Sequence, residues 1–335
     1  MRKLLSAITV ALSLVTVTGA IAQEGPANQK SLPEQIVDAM NAVFGSHPGM
    51  RATHAKGVVL EGVFTPAASA PHVSKAAHFK KQTAPVPVTV RFSDSTGVPN
   101  IPDTDPGTSP RGMALKFKLP DGSNTDIVGH SFNGFPVATA AELRDFFLAI
   151  GASKPGDPQP TALETFLSSH PTAKAFLTTQ KPAPVSYATL GYFGVNTFKF
   201  TNAKGIVTFG RYQLQPAAGE QFLDSEQVSK MGHDYLTDEI RDRVRSGPVK
   251  FTLLLQVAAK EDKIDDPSIA WPDTRKKVEL GTIEITKAVA DSQTAEKKLL
   301  FTPGALIPGI EAADPMIAMR SAAYIVSLSR RVQRP

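Results

Sequence analysis

The tightest constraint on this chain is a set of short apolar-rich runs joined by tight turns. Val86, Val88 and Val90 alternate within residues 85–92, the period of a strand with one buried face. Residues 57–64, 113–119, 249–257 and 281–287 also read as strands. Pro120-Asp121-Gly122 turns the chain toward Ile127-Val128. Further on, Tyr187–Thr197, Phe198–Thr201 and Ile206–Gln213 resemble strands, with the turn Asn202-Ala203-Lys204-Gly205 before the last. Such turns join antiparallel neighbours, because parallel pairs need a crossover of about a dozen residues. Helical periodicity lies on either side of the strands. Ser31-Leu32-Pro33-Glu34 forms a capping box for a helix that stops at Gly45. Helices are also expected at 140–151, at 161–179 and at 237–245 with Thr237 as N-cap, and a short one at 74–81. The expected class is α+β, a single domain around an antiparallel sheet or barrel rather than βαβ units.

The last helix carries chemistry. Asp314-Pro315 is a strong helix start, and neither Gly nor Pro interrupts the chain again until Pro335. At about 100° per residue, Arg320, Tyr324 and Arg331 fall within roughly 40° of one another, with Ile317 and Leu328 beside them. A phenol, with a free pKa of about 10, is a poor metal ligand until it ionises. A guanidinium one turn away favours the phenolate.

Residues 1–22 stand apart. Arg2 and Lys3, an apolar run from Leu4 and the ending Ala20-Ile21-Ala22 describe a secretory signal peptide cleaved before Gln23. A periplasmic protein of residues 23–335 is the expectation, and no other segment approaches a membrane span of about 20 apolar residues. The chain has no cysteine, which removes thiolate catalysis, Cys-ligated zinc, iron–sulfur clusters and covalently attached haem. The formal charge of +5 falls to about +3 once Arg2 and Lys3 are removed. The remaining basic residues form no stripe interleaved with aromatics, so nucleic acid is not an expected partner. The histidines form no HxxxH or HExxH pattern, and no Gly-rich phosphate loop is present.

Seven segments, in order, resemble the haem catalases. Arg51-Ala52-Thr53-His54-Ala55-Lys56-Gly57 is similar to RxxHAKG, Val90-Arg91-Phe92-Ser93 to VRFS, and Arg111–Phe117 to RGFAVKF. Asp126-Ile127-Val128-Gly129 resembles DLVG. Gly194–Phe198, Asp266-Pro267 through Trp271-Pro272, and Pro308-Gly309-Ile310-Glu311 ahead of Arg320-x-x-x-Tyr324 complete the series. The resemblance implies the haem-binding antiparallel barrel with surrounding helices. At 335 residues the chain has no room for that family's long wrapping segment or its C-terminal helical domain.

The resemblance also implies roles. Tyr324 becomes the proximal iron ligand of haem b, held ionised by Arg320. His54 becomes the distal base, with Ser93 fixing its tautomer. Arg51, Arg91 and Arg331 pair with the two haem propionates. Phe147 lies over the haem, with Phe146 equally placed to do so. The family's distal asparagine stands in an NNxP element, where this chain has His130-Ser131-Phe132-Asn133-Gly134-Phe135-Pro136, about three residues longer. Counting back from Pro136 reaches Gly134 and counting forward from Gly129 reaches Ser131; Asn133 is chosen because it alone has the amide. The family's FFxRD run is replaced by Ala138-Thr139-Ala140-Ala141, which opens the distal side. The expected function is a haem peroxidase that uses hydrogen peroxide to oxidise small organic donors, with weak catalase activity. A small true catalase, a hydroperoxide-converting haem enzyme and a non-catalytic haem-binding protein are the alternatives.

Overall fold

Strand alternation closes this chain into a barrel. The computed structural model describes residues 30–81 and 83–333. Helix α1 (Leu32–Phe44) leads into β1 (Gly57–Pro66), the short α2 (Ala70–Val73) and the meander β2 (Val86–Ser93), β3 (Gly112–Lys118) and β4 (Asn124–His130). Three helices follow, α3 (Ala140–Gly151), α4 (Ala162–Ser169) and α5 (Pro171–Thr178). The hairpin of β5 (Tyr192–Thr201) and β6 (Val207–Pro216) leads to α6 (Ser225–Ser229) and α7 (Tyr235–Ser246). Then come β7 (Val249–Val257), β8 (Lys277–Ala288), α8 (Ser292–Glu296), β9 (Ile310–Ala312) and α9 (Met316–Gln333).

The sheet order is β4-β3-β2-β1-β8-β7-β6-β5, all antiparallel, and β5 returns to β4. Eight strands therefore form a closed antiparallel barrel, and closure removes the open edges that invite mispairing. The seam rests on the pairing of His130 with Phe193. Strand β9 adds to β5 beside the seam, pairing Phe198 with Ala312. The barrel interior is filled by inward residues of successive strands, among them Leu60, Phe64, Val90, Leu115, Phe117, Phe251 and Ile283, all fully buried. A second apolar cluster forms outside it. There α1 packs against α3 and α9, through Ile36, Val37, Leu143, Phe146, Met316 and Ala323.

Several expected elements shift for identifiable reasons. The helix expected across 161–179 is two, because Pro171 cannot continue a helix and holds His170 outside it at ψ 76°. Residues 187–189 form a 3₁₀ turn, so the strand begins at Tyr192 rather than Tyr187. The helix expected over 74–81 is α2 at Ala70–Val73 and a 3₁₀ turn at Ala77–Phe79. Helix α7 starts at Tyr235 after Asp234, so Thr237 lies inside it. The leader expected over residues 1–22 lies outside the described residues, among which no helix is long and apolar enough to cross a membrane.

One polar side chain is trapped in the barrel interior. His78 is buried, with its ring against Phe64, Phe79 and Phe117 and no partner for Nδ1. Burial pushes its pKa down to about 3. The unfolded imidazole takes up a proton below about 6.5 while the folded one stays neutral. This group's contribution is therefore destabilising as pH falls from about 6.5 toward 3, and is absent above that window. The His78→Leu variant should gain stability over the parent by about 1.4 kcal/mol per pH unit between pH 6 and pH 4, measured as urea midpoints. Parallel curves for the two proteins would show that His78 is solvated or partnered.

Candidate active site

Helix α9 builds one wall of the site. The Asp314 carboxylate accepts from the Met316 amide at 2.8 Å, capping the helix, and its other oxygen accepts from Asn196 Nδ2 at 2.7 Å. Asn196 lies where the β5–β6 register breaks between Gly194 and Phe198, an irregularity that re-aims a strand side chain. Its amide oxygen accepts from Arg320 Nη1, and Arg320 Nη2 donates to the Tyr324 hydroxyl at 2.8 Å. Asp314, Asn196 and Arg320 are each more than nine-tenths buried. A continuous hydrogen-bonded line thus runs from the helix cap through a barrel strand to the phenol.

His54 comes from the loop between α1 and β1. It is the only non-glycine residue with positive φ, 56°, among the described residues. A backbone of this kind persists where its surroundings hold it, most often at functional sites. The His54 amide donates to Ser95 O at 3.2 Å, and its carbonyl accepts from Arg91 Nη2 at 2.9 Å. Nδ1 lies 3.0 Å from Ser93 Oγ; with Nδ1 donating there, Nε2 presents a lone pair. Burial, then the positive charges of Arg91, Arg320 and Arg51, pushes the imidazole pKa down to about 3, which keeps it neutral and able to accept a proton. Gly112 makes the room: a Cβ there would sit 2.6 Å from Ser93 Oγ and 2.9 Å from His54 Nδ1.

Three arginines form the polar end. Arg51 Nη1 and Arg91 Nη2 donate to one oxygen of Glu296, at 2.6 and 2.8 Å. Arg51 Nη2 and Arg331 Nη2 share the Leu299 carbonyl at 2.9 and 3.0 Å. Burial and the Arg91 charge hold Arg51 well below the usual arginine range and lower Arg331 as well, while the guanidiniums depress Glu296. One carboxylate faces three guanidiniums, and the Nε atoms of Arg91 and Arg331 are buried without an acceptor.

Tyr324, Arg320, His54, Ser93 and the three arginines of the polar end border one cavity of two adjoining lobes, with Asp314, Asn196 and Glu296 behind its wall. The first, about 830 Å³ counting its open mouth, is lined by Arg51, His54, Arg91, Arg320, Tyr324 and Arg331. The second, about 1570 Å³ on the same measure, shares His54, His130, Arg320 and Tyr324 and adds Phe135, Phe146, Phe147 and Phe176.

Residues 35–334 match the sequence model of the catalase family. The chain belongs to the catalase family. It is 36% identical over 303 residues to a catalase-related peroxidase of Mycolicibacterium paratuberculosis, covering 89% of this chain and 94% of that one. A catalase-related peroxidase of Synechococcus elongatus is 32% identical over 334 residues, covering 97% and 96%. In fold it resembles a bacterial catalase, with a TM-score of 0.74, 21% identity, and coverage of 99% of this chain but 68% of that one. Catalase A from Saccharomyces cerevisiae gives a TM-score of 0.75 at 20% identity over 96% of this chain and 68% of that one. This catalase-family chain is thus shorter than the solved catalases it resembles.

The site residues fit the haem that this family implies. Tyr324 offers a single oxygen donor, and among the described residues no group of three or more His, Asp or Glu could hold a metal ion. The chemistry of such a donor set suits iron that arrives with its own nitrogen ligands. The excess of guanidinium over carboxylate and the unpaired Nε atoms at the arginine end suit a ligand bearing two carboxylates. The fold brings together His54, Ser93, Arg51, Arg91, Arg320, Tyr324 and Arg331 around the first lobe. Phe147 and Phe146 both border the second. Asn133 lines neither lobe; His130, three residues earlier at the end of β4, lines both. Sequence reasoning also passed over Asn196, inside a matching segment but given no role, and Glu296.

Asn196→Ala removes the link that joins Asp314 to Arg320. Buried charged groups left without a partner cost about 2–3 kcal/mol, so the urea midpoint of the variant should fall accordingly with its secondary structure intact. A loss below about 0.5 kcal/mol would mean that Arg320 is held in place without Asn196.

Proposed function

We propose that this chain is a haem b peroxidase, exported to the periplasm, that reduces hydrogen peroxide with electrons from small organic donors. The observation that carries the reading is that Tyr324, hydrogen-bonded by a buried arginine, and the neutral His54 border the same cavity. Haem, when bound, supplies an iron centre able to hold the oxidising equivalents of peroxide.

Each of the chain's own residues has a separable task. Tyr324 Oη would hold the iron of a bound haem, and the Arg320 charge 2.8 Å away would favour negative charge on that oxygen. Arg51, Arg91 and Arg331 would pair with the two propionates of a bound haem. His54 Nε2 takes the proton from one peroxide oxygen and returns it to the other, so the O–O bond breaks with water as the leaving group. Ser93 keeps the ring's other nitrogen engaged. The second lobe, walled by Phe135, Phe146, Phe147 and Phe176, gives an apolar donor a place beside His54. That access favours donor oxidation over the reaction of a second peroxide.

The test begins with haem titration of the purified chain. One haem per chain is expected, with peroxide-dependent oxidation of an aromatic donor faster than oxygen evolution. Rapid oxygen evolution with no donor oxidised would reverse the ranking in favour of a true catalase. In the His54→Ala variant haem should be retained while the rate of peroxide consumption falls by about 10²–10⁴-fold, the usual contribution of a positioned acid–base group. Undiminished turnover would remove His54 from the mechanism.

A further inference from the structure

His130 is the one histidine besides His54 on the cavity wall, and it borders both lobes. Its backbone is fixed on two sides, by Gly112 of β3 and by Phe193 of β5 at the barrel seam. The ring is held by Phe135 at 6.4 Å and Phe176 at 6.1 Å. The Phe132 amide donates to Nδ1 at 3.3 Å. An imidazole that accepts at Nδ1 while neutral carries its hydrogen at Nε2. Burial, with the nearby charge of Arg320, keeps it neutral, pushing the pKa down to about 3. The side chain is 7% exposed, and Nε2 has no acceptor in the protein.

A buried N–H without an acceptor is costly. His78 shares that cost, but it lies in the barrel interior away from either lobe. At His130 the unpaired donor stands on the cavity wall, where an oxygen ligand can satisfy it. The two cavity imidazoles are also in complementary states. His54, tied to Ser93 through Nδ1, can present a lone pair; His130, tied to the Phe132 amide, presents a hydrogen.

We propose that His130 Nε2–H is the fixed hydrogen-bond donor to the peroxide oxygen in this chain, so that donor and base are both imidazoles. The inference rests on the haem peroxidase reading and assigns to His130 the donor role that the sequence reading gave to Asn133 for its amide. No proton is transferred by His130; it orients peroxide and stabilises charge on the oxygen while His54 moves the proton.

The test uses the haem-loaded protein and sodium fluoride, whose anion binds ferric haem and accepts hydrogen bonds from neighbouring donors. Fluoride dissociation constants are read from the visible spectrum for the parent, His130→Gln and His130→Met. The last two are close in shape and differ in the amide N–H. The methionine variant should bind fluoride about tenfold more weakly than the parent, and the glutamine variant should lie within about twofold of it. Equal affinity in parent and methionine variant, or equal weakening in both variants, would overturn the proposal. If His130→Met takes up no haem, His130→Leu replaces it. Failure of both to load while the glutamine variant loads would make His130 structural, overturning the proposal too. A parent chain that binds no haem would instead defeat the underlying reading, and a haem stain of the same samples separates the two failures.

Discussion

Arg320 holds its guanidinium between two fixed acceptors, the Asn196 amide oxygen on the barrel and the Tyr324 phenol one turn along α9. Everything proposed for this site depends on that arrangement. A positive charge buried to 6% exposure is expensive unless it is compensated. The compensation comes from Asn196, itself hydrogen-bonded to the Asp314 carboxylate, and from the Tyr324 hydroxyl, which accepts from the guanidinium at 2.8 Å. The helix cap, the break in β5 and the Tyr324 face of α9 are therefore one electrostatic unit. A shift of α9 by one residue would uncouple all three.

The barrel's contribution is placement. Ser93 and Gly112 are paired neighbours on β2 and β3, and Gly112 pairs in turn with His130 on β4. These three positions form one row across the sheet, ending at the seam. The missing Cβ at Gly112 admits the His54 ring, which the loop before β1 presents from a strained backbone. Two imidazoles, a hydroxyl and a phenol are so gathered from segments at both ends of the chain. The arginine end is joined by Glu296 from α8, which shares its carboxylate between Arg51 and Arg91.

Periodicity made much of this legible. The alternation of Val86, Val88 and Val90 located β2, and the helical spacing of Arg320, Tyr324 and Arg331 put all three on the cavity face of α9. What escaped were features set by partners distant along the chain. Glu296 is 205 residues from Arg91 and Asn196 is 124 from Arg320, separations at which no local pattern exists. Asn133 lies off both cavity lobes for a different reason. Counting across a turn whose length differs from the family's pattern gives Ser131 or Gly134 according to the direction taken, and Asn133 is chosen between them for its amide alone. Only the pairing of β4 with β3 and β5 fixes His130 on the cavity wall. The helix expected through Pro171 failed because apolar periodicity continued across a residue that cannot be helical there.

The central claim is that the Tyr324 oxygen, steadied by Arg320, binds the iron. Resonance Raman spectroscopy of the ferric, haem-loaded protein tests it most directly, comparing the parent with Tyr324→Phe. Phenolate ring modes enhanced through an iron–oxygen bond should appear in the parent and vanish in the variant. A parent spectrum without those modes, or one that the substitution leaves unchanged, would contradict the account.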